Sequence, residues 1–169
     1  PIRMKDFLPL RWVFEKEKIN GIADSVFKGE FYSFQIGIFS PEKNIEDIEI
    51  DYTHFAGRRG NRISKEKISC FNKEGIDLNG NPFKKKVSIE RGKTQALWFG
   101  IEIPQQTSKG SYTGQVIIKP KGFAADTVFI KLIVSSETIT NHGDNAPEKM
   151  SRLRWLNSTI GSDSNFIIK

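Results

Sequence analysis

Gln95-Ala96-Leu97-Trp98-Phe99-Gly100-Ile101-Glu102-Ile103-Pro104 decides the architecture. Leu97, Phe99, Ile101 and Ile103 occupy alternate positions, with Ala96, Trp98 and Gly100 between them. Successive side chains point to opposite faces of a strand, so this spacing predicts a β-strand with an apolar inner face. Pro104 has no N–H to give to a ladder and ends it. The period of two recurs on both sides of this stretch. Downstream, a polar run from Gln105 to Lys109 leads to Gly110, after which Tyr112, Val116 and Ile118 fall in register. Gly122 marks the next turn, and Val128, Ile130, Leu132 and Val134 alternate in a final strand.

Upstream, Tyr32, Phe34, Ile36 and Ile38 form one face against Ser33, Gln35 and Gly37, up to Pro41. Ile48, Ile50 and Tyr52 alternate with acids, Ile68 and Cys70 share a face, and Val87 with Ile89 predicts a further short strand. The stretches Gly57-Arg58-Arg59-Gly60-Asn61 and Asn79-Gly80-Asn81-Pro82 carry turn chemistry, with Asn-Gly suited to positive φ. No window before residue 145 shows a helical period. About eight short strands divided by turns give an all-β class, an antiparallel β-sandwich of immunoglobulin-like or jelly-roll-like kind.

The character changes after Ser135. The sandwich is expected over residues 1–136, with 137–169 a linker and junction to a downstream domain. Asn141 to Pro147 is polar, and Pro147 to Leu156 predicts a short helical or irregular segment, capped by Asn145 and followed by Gly161. Met150, Leu153, Trp155 and Leu156 are too apolar for a free tail. The chain opens Pro1-Ile2-Arg3 and closes Phe166-Ile167-Ile168-Lys169, which reads as a piece cut from a longer protein.

Composition excludes several classes. The 169 residues include 26 Lys+Arg and 20 Asp+Glu, a net charge of +6. These charges are interleaved, as in Glu15-Lys16-Glu17-Lys18, and Lys84-Lys85-Lys86 falls short of a basic patch, so no nucleic-acid partner is expected. No apolar run approaches the roughly 18 residues of a membrane span. The single cysteine, Cys70, forms no internal disulfide and joins no zinc-spaced cluster; its alternation with Ile68 marks it as a small buried hydrophobe. A (β/α)₈ barrel needs at least about 200 residues, which this chain lacks.

Gly29-Glu30-Phe31-Tyr32-Ser33-Phe34-Gln35-Ile36-Gly37-Ile38-Phe39 resembles the strand that opens N-terminal sandwich domains of bacterial secreted proteins related to glycoside hydrolase family 123. Leu97 to Pro104 followed by Gly110-Ser111-Tyr112-Thr113-Gly114-Gln115-Val116 is similar too, as is His142 to Asn145 with Met150 to Ser158, over roughly residues 7–160 in all. The resemblance implies a non-catalytic accessory domain of a secreted, periplasmic or cell-surface protein. It would support or orient a downstream domain with β-N-acetylgalactosaminidase-like, substrate-assisted chemistry. The Asp-Glu pair of that chemistry stands on a separate barrel. Here the pair Glu46-Asp47 runs in reversed order on a predicted strand and reads as a solvated face, so no catalytic residue is carried over.

Other residues invite a chemical reading. Trp98, with Tyr112, offers a flat aromatic face on which a sugar ring can stack, which would make the chain a carbohydrate-binding module for amino-sugar glycans. Arg152, Arg154 and Trp155 at the exit are residue types enriched at interfaces and suggest contact with the downstream domain. Asp77, Asn79 and Asn81 have alternating oxygens but lack the distant acid of a calcium loop and read as a turn. His142 and Asp144 lack a third group and read as hydrogen-bonded linker. No metal or cofactor is expected, and an enzyme in its own right would need two converging carboxylates.

Overall fold

The structure, a computed structural model, describes residues 7–8, 21–77, 79–143 and 148. Among the described residues twelve strands follow in chain order: β1 (Phe7–Leu8), β2 (Gly21–Lys28), β3 (Phe31–Ser40), β4 (Ile48–Tyr52), β5 (Phe55–Ala56), β6 (Arg62–Ile63), β7 (Ile68–Cys70), β8 (Glu74–Ile76), β9 (Pro82–Lys84), β10 (Lys93–Glu102), β11 (Gly110–Pro120) and β12 (Asp126–Thr138). The fold is an all-β sandwich. Its smaller sheet is centred on β10, with β3 along one edge and β1 and β7 sharing the other. The larger sheet runs β2-β12-β11, and β4 and the β5-β6 pair share the far edge of β11. β8 and β9 form a separate two-stranded ribbon.

The alternating residues face one another across the layers. Leu97, Phe99, Ile101 and Ile103 meet Tyr112, Val116, Ile118, Ile130, Leu132 and Val134 in one buried cluster, with Ile48, Phe55 and Ile63 filling in. Phe99 lies at its centre: Phe34 stacks on it at 5.1 Å, and Tyr52 of the opposite sheet presents an edge at 6.4 Å. Each such side chain contributes roughly 1.5–3 kcal/mol by leaving water.

Three expectations need correction. The strand count exceeds eight because short strands of two or three residues carry too little periodicity to register. The pairing is not wholly antiparallel: β2, which the alternation did not reveal, runs parallel to β12 from Gly21↔Phe129 to Val26↔Val134. Parallel neighbours need a long connection, and the whole sandwich lies between these two. Val87 and Ile89 make no strand; Ile89 exchanges backbone hydrogen bonds of 2.8 Å with Ile45, and both Val87 and Ile89 are buried.

β2 and β3 belong to different sheets yet are joined by two residues, so Gly29-Glu30 ties the layers at one end. Gly29 N–H donates to Ile103 O and Ile103 N–H to Glu30 O, each at 2.9 Å. Gly29 has φ +75°, and a Cβ there would run into Ile139 O. Gly100 serves a different need. Phe31 and Phe71 close over β10 on its outer side, and a Cβ at Gly100 would enter the Phe31 ring. β10 is therefore buried on both faces, whereas β12 buries only Val128, Ile130, Leu132 and Val134.

Candidate functional site

The two adjacent carboxylates at 46–47 do not act together. They precede β4 rather than lying on a strand. Glu46 is exposed and accepts a 2.9 Å hydrogen bond from Lys121 Nζ, which lowers its pKa. Asp47 is drawn inward, where Oδ1 accepts from Lys73 Nζ at 2.7 Å, Ile48 N–H at 2.8 Å and Val87 N–H at 3.1 Å. Burial opposes its charge, yet these donors prevail and hold the carboxyl below the usual range. A carboxylate so committed braces a loop and has no proton to offer.

Trp98 and Tyr112 sit on different sheets and share no face. Tyr112 is buried in the core, where its hydroxyl donates to Ser108 O at 2.9 Å. Trp98 is half-buried on the outer side of β10, opposite Gln35 of β3. Its backbone is held on the other flank: its N–H donates to Asn72 Oδ1 at 2.7 Å and its carbonyl accepts from Phe71 N–H at 2.9 Å. The indole Nε1 is buried without a hydrogen-bond partner.

The Asp77 turn uses its oxygens on its own backbone. Asp77 Oδ1 accepts from Asn79 and Asn81 N–H at 2.9 and 2.8 Å, closing the β8-β9 ribbon with Gly80 at φ +81°. Cys70 is buried opposite Phe99, and burial pushes its thiol up to about 12, which keeps it protonated and inert. Among the described residues, no three His, Cys, Asp or Glu side chains converge as metal ligands. No helix among them is long and apolar enough to cross a membrane.

What the structure does assemble lies beside the turn that follows β12. Ile139 is buried, and its N–H donates to Lys28 O at 2.7 Å. Thr140–Gly143 then forms a tight turn beside a pocket of about 270 Å³, lined by Lys67, Glu102, Pro104, Gln105, Gln106 and His142. Lys67 Nζ pairs with Glu102 Oε2 at 3.1 Å on its rim. The sequence points to His142 alone in this group. Lys67 comes from one stretch and Glu102 with the two glutamines from another, with no shared pattern. Asp144, Arg152, Arg154 and Trp155 lie outside the described residues, as does the rest of the segment Met150 to Leu156.

With this geometry established, comparison with known proteins bears out the resemblance drawn from the sequence. Residues 69–120 match the glycoside hydrolase 123 N-terminal domain. The stretch Leu97 to Pro104 and the Gly110 to Val116 segment both fall inside that match. A family 123 glycoside hydrolase from Clostridium perfringens, studied for glycolipid glycan hydrolysis, superposes with a TM-score of 0.61 at 18% identity, over 74% of this chain and 24% of that one. This chain thus spans about a quarter of that enzyme's length. A Bacteroides ovatus GH5 xyloglucanase (TM-score 0.39, 13% identity, 69% of this chain and 18% of that one) and the secreted serine protease VesC of Vibrio cholerae (0.42, 10%, 66% and 21%) are too distant to carry an argument. No curated protein sequence matches the chain.

Proposed function

We propose that this chain is a non-catalytic accessory domain that supports and orients a glycosidase-like domain following it in the same polypeptide, in an exported carbohydrate-active protein. The observation that carries this reading is the match of residues 69–120 to an N-terminal domain, in a chain spanning about a quarter of a family 123 enzyme. The committed state of its adjacent acids supports it as well. Glu46 is paired outward with Lys121 while Asp47 is held inward by Lys73 and two backbone amides. In substrate-assisted hydrolysis the substrate's own acetamido group attacks, and the two adjacent acids that support it must face one substrate, whereas these two carboxylates diverge.

The test compares the 169-residue chain with the polypeptide that continues beyond Lys169, using a chromogenic N-acetylgalactosaminide. Turnover is expected from the longer polypeptide and none from the 169-residue chain. Hydrolysis by the shorter chain would overturn the reading. So would binding of amino-sugar glycans that is lost in Trp98→Ala, since that would make the domain a binding module.

A further inference from the structure

Resting on the reading of the chain as part of a carbohydrate-active protein, we infer that the outer face of the large sheet binds an acidic polysaccharide. The site runs from the Gly57 to Asn61 loop across to Lys131 and takes the polymer's carboxylate or sulfate groups. The loop supplies the first observation. Arg58, Arg59 and Arg62 fall within five residues, all three are exposed, and none is bonded to an acid among the described residues. The bordering acids are already taken: Glu66 accepts from the Ser64 hydroxyl, Asp51 pairs with Lys119, and Glu102 with Lys67. Guanidinium is always charged, and its planar fork matches the paired oxygens of an oxyanion.

The second observation is the backbone beneath those side chains. Arg59 is left-handed at φ +57° and ψ +33°, a conformation that glycine or asparagine adopts with less strain. An arginine kept there against its backbone preference points to a use for the side chain. The loop itself is fixed. Gly57 N–H donates to Asn61 O at 2.8 Å and Asn61 N–H to Arg58 O at 3.2 Å. Gly57 also lies so close to the Tyr112 ring that a Cβ would stand 2.6 Å from Cε1. The arginines are thus presented on a pre-formed base, which limits the ordering cost of binding.

The third is the sheet face beside the loop. One cross-strand row crosses four strands: Arg62 of β6 faces Ala56 of β5, Ala56 faces Thr113 of β11, and Thr113 faces Lys131 of β12. All four are exposed, and with strands about 4.8 Å apart the two cations stand roughly 14 Å from each other. The rows on either side, Ser111–Ile133–Ser25 and Gln115–Phe129–Gly21, hold no carboxylate. Cations this far apart, with hydroxyl and amide groups between them, fit a polymer whose charges are separated by sugar rings, and exposed Phe129 offers such a ring an apolar face. Duplex DNA carries a charge per roughly 1.7 Å and is held by a denser basic surface. A bilayer calls for a continuous apolar patch, but Lys131 interrupts Phe129 and Ile133.

The test measures binding of a fluorescent heparin fragment, which carries both carboxylates and sulfates, to the 169-residue chain by fluorescence polarisation. Arg59→Gly removes one guanidinium while relieving the backbone, so the sandwich stays folded, and binding should weaken about fivefold. Arg58→Ser, Arg59→Gly and Arg62→Ser together should abolish it. Lys84→Gln, Lys85→Gln and Lys86→Gln together remove the same charge outside this face and should leave it unchanged. Equal losses in the two triple variants would mean that net charge alone is read, and that result, like an absence of binding, overturns the inference. Duplex DNA, or vesicles of phosphatidylcholine with phosphatidylserine, held as tightly as heparin would overturn it too. The accessory role is judged apart, by turnover in the longer polypeptide. Turnover without heparin binding ends the site and leaves that role standing, whereas heparin binding beside an inert longer polypeptide supports the site and ends the role.

Discussion

The two flanks of the sandwich satisfy their backbones in different ways. Between β11 and β12 the main chain does it alone, in unbroken register from Gly110↔Val134 to Ile118↔Asp126. Along the outer edge of β10 the ladder is interrupted. β1 pairs with Thr94 and Gln95, and β7 with Phe99 to Ile101, leaving Ala96 to Trp98 between them. There the side chain of Asn72 replaces a strand: its Nδ2 donates to Ala96 O at 3.2 Å and its Oδ1 accepts from Trp98 N–H at 2.7 Å. Asp47 does likewise for Val87 and Ile48, and Asn44 Oδ1 for the Arg91 N–H at 2.8 Å. A buried backbone group needs a partner, but the partner need not be another backbone.

The largest effect should come from breaking that substitution. Asn72→Leu keeps the volume near β10 but leaves the Trp98 N–H without its acceptor in a site where Asn72 is only 5% exposed. An orphaned buried donor together with the lost hydrogen bonds costs about 3 kcal/mol. For a chain of this size that lowers the melting temperature by about 10 °C, at roughly 2–4 °C per kcal/mol. Ser111→Ala on the exposed side of β11 touches no such substitution and should stay within about 0.5 kcal/mol. Equal losses in the two variants, measured by thermal denaturation, would show that the amide is not standing in for a strand.

The same contrast explains what could be read in the sequence. The β11-β12 ladder was legible because each strand has one wet face, so Tyr112, Val116 and Ile118, then Val128 to Val134, stand out at a period of two. β10 was legible as a strand, but its outer face was not. Gly100 and Ala96 look like gaps in a pattern, whereas Gly100 is where Phe31 and Phe71 close over the sheet. Asn72 and Asp47 were opaque because a side chain that completes a ladder obeys no period; its role depends on residues 24–26 and 40 positions away. β2 was missed because its exposed stretch Ala23 to Ser25 is small and polar, and parallel pairing leaves no turn to announce it. The pocket beside His142 was hidden because its lining comes from residues 67, 102–106 and 142.

Asp47 sharpens the comparison through its charge. Its pKa is held below the ordinary carboxylate value, so it contributes stability above its unfolded pKa of about 3.9 and loses that contribution as pH falls through the folded value. Asp47→Asn should cost about 2 kcal/mol at pH 7, the usual scale for hydrogen bonds to a charged group. The gap to the parent should close as the pH drops below about 4. Glu30 behaves oppositely. Burial raises its pKa, and its carboxylate accepts from Phe27 N–H at 2.6 Å. The proton is therefore bound more tightly in the folded state, so stability from this group is present below its unfolded value and lost as pH rises through the folded one. Urea midpoints of Asp47→Asn and Glu30→Gln, taken from pH 7 to pH 3, should diverge from the parent in opposite senses. A constant offset for Asp47→Asn would mean that geometry rather than charge holds the loop.

The smallest effect belongs to the flank where the backbone suffices. Phe129 and Ile133 point outward from β12 at 49% and 47% exposure, with Lys131 between them and Gln115 and Ser111 opposite on β11. Neither side chain completes a hydrogen bond or fills the core, so truncating either forfeits little buried surface. Threonine suits a strand as well as phenylalanine or isoleucine does. Phe129→Thr and Ile133→Thr should therefore each change stability by no more than about 0.5 kcal/mol in the 169-residue chain. The informative outcome is a discrepancy between chains. If these variants are neutral here but lower the melting temperature of the longer polypeptide, the outer face of the large sheet is covered there, and its exposure marks a contact rather than a wet surface. If they destabilise the 169-residue chain itself, the face is already packed and the division of labour between the two flanks fails.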